Sequence, residues 1–107
     1  MPVVAIDAAV ITDFASFHEA FQRELGFPEI YGHNMDAWID CMSELDDPMS
    51  KMTKIHGSAE DPVVLHLYNA GDIPREVFEA LNEAAAYVNW KRVEDGQPAI
   101  LMLSYRR

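Results

Sequence analysis

Cysteine is almost absent from this chain. Cys41 stands alone, so no internal disulfide can form, which suits a reducing compartment such as the cytoplasm. Basic residues are scarce as well: Lys and Arg number 8 against 18 Asp and Glu, for a formal net charge of -10. Phosphate contacts dominate affinity for nucleic acid and for anionic membranes, so this balance argues against both. It favours a basic partner, or only solubility. No apolar run reaches the about 18 residues that a membrane span needs. The start "MPVVAIDAAV" lacks the basic n-region and long apolar core of a signal peptide. Gly32, Gly57, Gly71 and Gly96 are scattered, and none forms a phosphate-cradling loop. Zinc-type Cys/His spacing, an HExxH helix and an EF-hand loop are all missing, so neither a metal nor another cofactor is expected.

What remains is a chain of 107 residues with half of them hydrophobic. That length fits one domain over residues 1–107. It is enough to bury roughly two-thirds of the surface exposed when unfolded.

The patterning alternates between two periods. "VVAID" (3–7) is a short β-branched run, read as a buried strand. In "TDFASFHEAFQREL" the period changes: Phe14, Phe17, Phe21 and Leu25 fall at helical spacing, with Glu19, Gln22 and Arg23 opposite. Thr12 or Asp13 can cap this helix, and Gly26 with Pro28 ends it. Asn34 can cap a second helix. One stripe of it holds Met35, Trp38, Cys41, Met42 and Leu45; the other holds Asp36, Ile39, Asp40, Ser43 and Glu44. Residues 46–62 carry the least pattern and read as loop, with room for a short helix near 48–55. "VVLHLYN" (63–69) reads as a strand buried on both sheet faces. After "GDIP" comes a long helix with Pro74 in its first turn, Val77, Leu81, Ala84 and Val88 on one face and Glu76, Glu79 and Glu83 on another. "AILMLS" (99–104) reads as a third strand. The order β-α-α-β-α-β predicts an α/β fold: a three-stranded parallel β-sheet, with right-handed crossovers, packed against helices.

The informative segment is "IYGHNMDAWIDCMSELDD". Asp36, Asp40 and Glu44 recur at four-residue spacing, where like charges on a helix oppose each other by about a few tenths of a kcal/mol per pair. No Lys or Arg lies between residues 24 and 50 to offset them. Charge runs are usually solvated faces. The alternative is a surface built to receive a cation, with Ile39 in its midst. An enzymatic reading uses these carboxylates with His33 as acid and base or as metal ligands, but catalysis would need carboxylates in distinct environments, whereas two aspartates one turn apart on an open helix titrate nearly alike. Cys41 lies on the apolar stripe and reads as a small buried hydrophobe, not a nucleophile. His18 faces a neighbour or solvent, His66 reads as a satisfied core histidine, and His56 has no visible partner.

Over "ELGFPEIYGHNMDAWIDCM" the chain resembles the barstar family, intracellular protein inhibitors of secreted ribonucleases. The matching residues are Glu24, Leu25, Pro28, Glu29, Tyr31, Gly32, Asn34, Asp36, Ala37, Asp40 and Cys41. The resemblance runs without gaps from about Ile6, through His18, to Cys41, and resumes more loosely over the second strand, the long helix and "AILMLS". It implies a barstar-like fold and a function by plugging, in which the loop and helix after Tyr-x-Gly-x-Asn enter the nuclease active site. Asp40 matches the aspartate that lies where substrate phosphate would lie and meets Arg and His side chains. Asp36 matches one that pairs with another basic residue, Gly32 and Asn34 match loop contacts, and Glu83 aligns with an acidic contact on the last helix. The partner-binding set so implied is Ile30, Tyr31, Gly32, His33, Asn34, Asp36, Ile39, Asp40, Ser43, Glu44 and Glu83. The chain departs from the archetype at Ile30, His33 and Ile39, where the family has an aromatic residue, an acid and a tryptophan, and its loop after the second helix looks longer. The expectation is a cytoplasmic, monomeric, immunity-type inhibitor of the toxin–antitoxin kind, binding a basic secreted ribonuclease or nuclease toxin one to one. An acidic interaction module with a basic non-nuclease partner would use the same face.

Overall fold

The computed structural model describes residues 1–107. In chain order it has β1 (Val3–Asp7), α1 (Phe14–Leu25), α2 (Met35–Met42), β2 (Val63–Tyr68), α3 (Arg75–Glu94) and β3 (Leu101–Tyr105). Single 3-10 turns occupy Ala8–Val10, Pro48–Ser50 and Ala70–Asp72. The strands form one parallel sheet in the order β1-β2-β3, with Val4 opposite Leu65 and Leu65 opposite Leu103. This is the expected α/β architecture, although β3 begins at Leu101 instead of residue 99.

Local chemistry sets the helix limits. Asp13 caps α1: its Oδ1 accepts from Ser16 N at 2.8 Å, and Ser16 Oγ accepts from Asp13 N at 3.1 Å. That reciprocal box satisfies two amides the helix cannot bond internally. At the other end Gly26 adopts φ 70, a left-handed conformation that glycine enters without a Cβ penalty. A Cβ there would stand 2.6–2.8 Å from the Lys54 side-chain stem. Gly26→Ala should therefore lower stability by about 1–2 kcal/mol through backbone strain, with displacement of Lys54 adding to it. A urea midpoint equal to wild type would show that the C-cap relaxes freely.

The core joins both sheet and helices. Val4, Ile6, Leu65 and Leu67 point to the helices, where Phe17, Phe21, Leu25, Trp38, Met42, Val77, Leu81 and Val88 meet them. The Trp38 ring packs edge-on against Phe21 at 5.7 Å. Trp38 is fully buried and Ile39 only half-buried, so the two stripes of α2 separate as read. Asn89 fastens α3 to the entry of β3: its Oδ1 accepts from Ile100 N and Leu101 N, and its Nδ2 donates to Leu101 O.

Four expectations need correction. First, β2 is not buried on both faces, and β1, read as a buried strand, buries only Val4 and Ile6 and leaves Val3 and Ala5 exposed. Val63, Leu65 and Leu67 are buried, but Val64 and His66 are half-buried and Tyr68 is exposed. Two crossovers advancing the same way across the sheet, with the usual right hand, put their helices on one face and leave the other to solvent. Second, His66 therefore stands on the open face and not in the core, where its Nδ1 and Ser104 Oγ share a hydrogen bond of 3.0 Å. Third, Phe14 is exposed, because it occupies the first position of α1 with no core layer beyond it; the buried stripe runs through Phe17, His18, Ala20, Phe21 and Leu25. Fourth, α2 ends at Met42, so Ser43 and Glu44 lie past it. Glu44 N turns back to Cys41 O at 3.1 Å, a tighter bond than the helix makes, and Pro48 follows.

Residues 46–62 are irregular apart from the turn at Pro48, yet they are tied down. Lys54 N donates to Leu25 O at 2.8 Å, Gly57 N donates to Leu45 O at 3.0 Å, and Thr53 is buried. Arg92 of α3 joins the start of the segment to the turn before β3, donating to Asp46 Oδ2 at 3.1 Å and to Pro98 O at 2.9 Å.

Candidate partner-binding site

The loop between α1 and α2 is held from beneath. Tyr31 is buried, packs against Phe27 with ring centroids 4.7 Å apart, and shares a hydrogen bond of 2.5 Å with His18 Nδ1. Burial pushes the His18 pKa down to about 4, and nearby His33 adds to the effect, so the imidazole is neutral at neutral pH. Burial also pushes the Tyr31 hydroxyl upward, with Cys41 a smaller cause. This pair is thus a neutral bond, cheaper to bury than a charged one.

Gln22 supplies a second brace. Its Nε2 donates to Pro28 O at 3.0 Å, and its Oε1 accepts from His33 Nε2 at 2.9 Å. His33 has φ 52, unusual for a residue with a Cβ, and its ring lies against Tyr31 at 5.1 Å. The loop's outward residues are consequently fixed in place: Ile30 is 88% exposed, and Gly32, His33 and Asn34 are exposed beside it. Asn34 spends its Oδ1 on Ala37 N at 2.8 Å, which starts α2 as the cap rule requires.

On α2 itself Asp36 and Asp40 are both exposed, one turn apart. Asp36 lies in the first turn, where the helix dipole favours a carboxylate; Asp40 lies in the last, where it does not. The ion pairs of the structure join the Met1 amine to Asp61, Arg23 to Glu24, Arg75 to Glu79 and Arg92 to Asp46. Asp36, Asp40, Glu44 and Glu83 have none. Ser43 is exposed, with its hydroxyl folded back to donate to Ile39 O at 2.6 Å, and Glu44 is half-buried in the following turn. The acidic surface is therefore two aspartates on a helix with a third carboxylate just past its end.

The sequence did not show how α3 frames this surface. A cleft of about 310 Å³ lies between Met35 and Ile39 of α2 and Ala80, Glu83, Ala84 and Tyr87 of α3. A second, of about 320 Å³, places Asp40 and Ser43 with Tyr87, Lys91 and Asp95. Glu83 thus shares a cleft with Ile39. The sequence reading missed Gln22, Tyr87 and Lys91. Tyr87 and Lys91 were recoverable in principle as the next turns after Glu83 on one helix face; Gln22 offered no signal. Tyr31 supports the surface from inside it. The largest hollow, about 560 Å³ beside Ala8, Asn69 and Arg107, shares no residue with it.

The arrangement offers little for covalent chemistry. Cys41 is buried, and burial followed by the neighbouring Asp40 carboxylate raises its thiol pKa to about 11, away from the reactive thiolate. No three His, Cys, Asp or Glu side chains converge as a metal-binding set. No helix is long and apolar enough to cross a membrane. What the surface can do is accept cations on unpaired carboxylates held by a braced loop and a short helix. A family model described as Barstar (barnase inhibitor) matches residues 1–101, and with nearly the whole chain covered, this protein belongs to the barstar family.

Proposed function

We propose that this protein inhibits a basic ribonuclease by filling its phosphate-binding cleft with the loop at residues 30–34 and the acidic face of α2. The observation that carries this reading is the pair Asp36 and Asp40, exposed at one-turn spacing with no internal cation, on the segment that carries the family resemblance. A cleft that binds phosphate presents Arg, Lys or His donors. Carboxylates on a short helix can take the phosphate's place through charge-assisted hydrogen bonds. The cation would also relieve the repulsion between Asp36 and Asp40, which answers why a helix keeps both. The net charge of -10 would draw a basic nuclease inward, so association should be fast and salt-sensitive.

In this reading the protein is a cytoplasmic monomer that binds its nuclease one to one, as an immunity-type protein. Ile30, His33 and Ile39, where the chain departs from the archetype, support a target other than the archetypal nuclease and a weaker hold on barnase itself. The test is titration of the purified protein into barnase and a panel of basic microbial ribonucleases, with Asp40→Ala alongside. Stoichiometric inhibition that the substitution abolishes is the expected result. A pull-down that returns a basic partner without RNA-cleaving activity, with no inhibition across the panel, would replace the nuclease by another cationic protein on the same face.

A further inference from the structure

The outward side of α3 carries two aromatic rings that the core does not use. Tyr87 is 45% exposed and Trp90 54%, and their ring centroids lie 5.9 Å apart. They are continuous with the acidic surface, because Tyr87 lines both clefts beside Ile39 and the second of these also holds Asp40. Glu83 stands four residues before Tyr87 and Glu94 four after Trp90, so each ring has a carboxylate as a helix neighbour. The ring faces are themselves electron-rich and attract cations, tryptophan most strongly and arginine more often than lysine.

We propose that the partner-binding surface runs from Asp40 across Tyr87 to Trp90, and that this extension takes an arginine side chain of a basic protein partner, its guanidinium laid over the two rings and flanked by Glu83 and Glu94. The inference rests on the inhibitor reading only for who supplies the arginine. Charge selects the occupant. Lys91 is the one unpaired cation lining these clefts, against Asp40, Glu83 and Asp95. A second copy of this chain would bring its own net charge of -10 and be repelled. The rings also supply what Ile39 does not, a large rigid aromatic contact of the kind on which binding energy concentrates.

The experiment is a titration of the isotope-labelled full chain with hexa-arginine and, in parallel, hexa-lysine at low ionic strength, followed by NMR. The amides of Tyr87 and Trp90 and the Trp90 indole resonance should move together with the amides of Asp36 and Asp40. Hexa-arginine should bind more tightly than hexa-lysine, by up to roughly three-fold, because a planar guanidinium stacks on the rings and sheds its water more readily than an ammonium, and the whole exposed contact is worth only about 0.5–1 kcal/mol. Trp90→Leu keeps an apolar side chain but removes the ring; it should abolish that margin while circular dichroism stays unchanged. Shifts at Asp36 and Asp40 without Tyr87 and Trp90 would overturn the extension and leave the acidic face intact. Equal affinity for the two peptides, or a margin that survives Trp90→Leu, would overturn the arginine assignment. Absence of any shift at α2 or α3 would overturn both readings.

Discussion

Asp40→Ala should weaken the complex with the protein's target ribonuclease by about 2–5 kcal/mol, roughly 30- to 4,000-fold, the range for truncating one member of a buried charged pair, to which the barnase–barstar pair itself contributes. In the proposed plug most of the loss should appear as faster dissociation, since the substitution would leave a nuclease cation buried without its partner. Asp36→Ala should cost less, as Asp40 is the residue matched to the phosphate position. The free protein should respond in the opposite sense. Asp40 stands in the last turn of α2, one turn from Asp36 and without an ion pair, so its removal relieves repulsion and an unfavourable dipole contact. Urea unfolding should show Asp40→Ala no less stable than wild type and up to about 1 kcal/mol more stable. Calorimetry on the complex and urea melts on the free protein test the two halves together. If affinity and stability fell in parallel, Asp40 would be a structural residue and the plug mechanism would lose its main support.

Between pH 6.5 and about 4 the protein should lose up to about 3 kcal/mol of stability through His18 alone. The sign follows from the direction of the shift. Unfolded, the imidazole binds its proton at the ordinary value of 6.5; folded, it resists protonation until about 4, because it is buried against Phe17 and Tyr31 with His33 near. The contribution is therefore complete above pH 6.5, declines as pH falls through this window, and is gone below about 4. Asp13 acts lower on the scale. Its hydrogen bonds from Ser16, backbone first, hold its carboxyl below the usual 3.8, so its share of stability is lost only under more acidic conditions. Urea midpoints from pH 7 to pH 4 for wild type and His18→Gln separate the two, because the substitution should flatten the upper window only. Parallel curves for the two proteins would mean that His18 does not govern the acid response. Because the His18–Tyr31 bond lies under Gly32 and His33, target binding should weaken over the same window.

The sequence by itself determined the elements whose cause is local. The Asp13 cap and Gly26 stop of α1, the Asn34 cap of α2, the β-branched run of β1 and the buried stripe of α3 all depend on residues within one or two turns. They were legible for that reason. So were the identity of the acidic segment and the division of Trp38 from Ile39, which follow from a period of 3.6 residues. Other features were decided only when distant segments met. Whether β2 is covered on one face or two depends on which side both crossovers pass, and nothing within "VVLHLY" encodes that. Phe14 has the right phase for the core but no neighbours at its level. Helix α2 stops at Met42, in a sequence whose charge spacing continues to Glu44, because a tighter turn and Pro48 intervene. Gln22 reads as a surface residue and becomes the brace of a loop up to eleven residues away. Tyr87 joins the acidic surface because α3 packs beside α2. A helix period states which residues share a face, while the tertiary packing alone states what that face meets, since contact energy belongs to pairs and one segment holds only half of each pair.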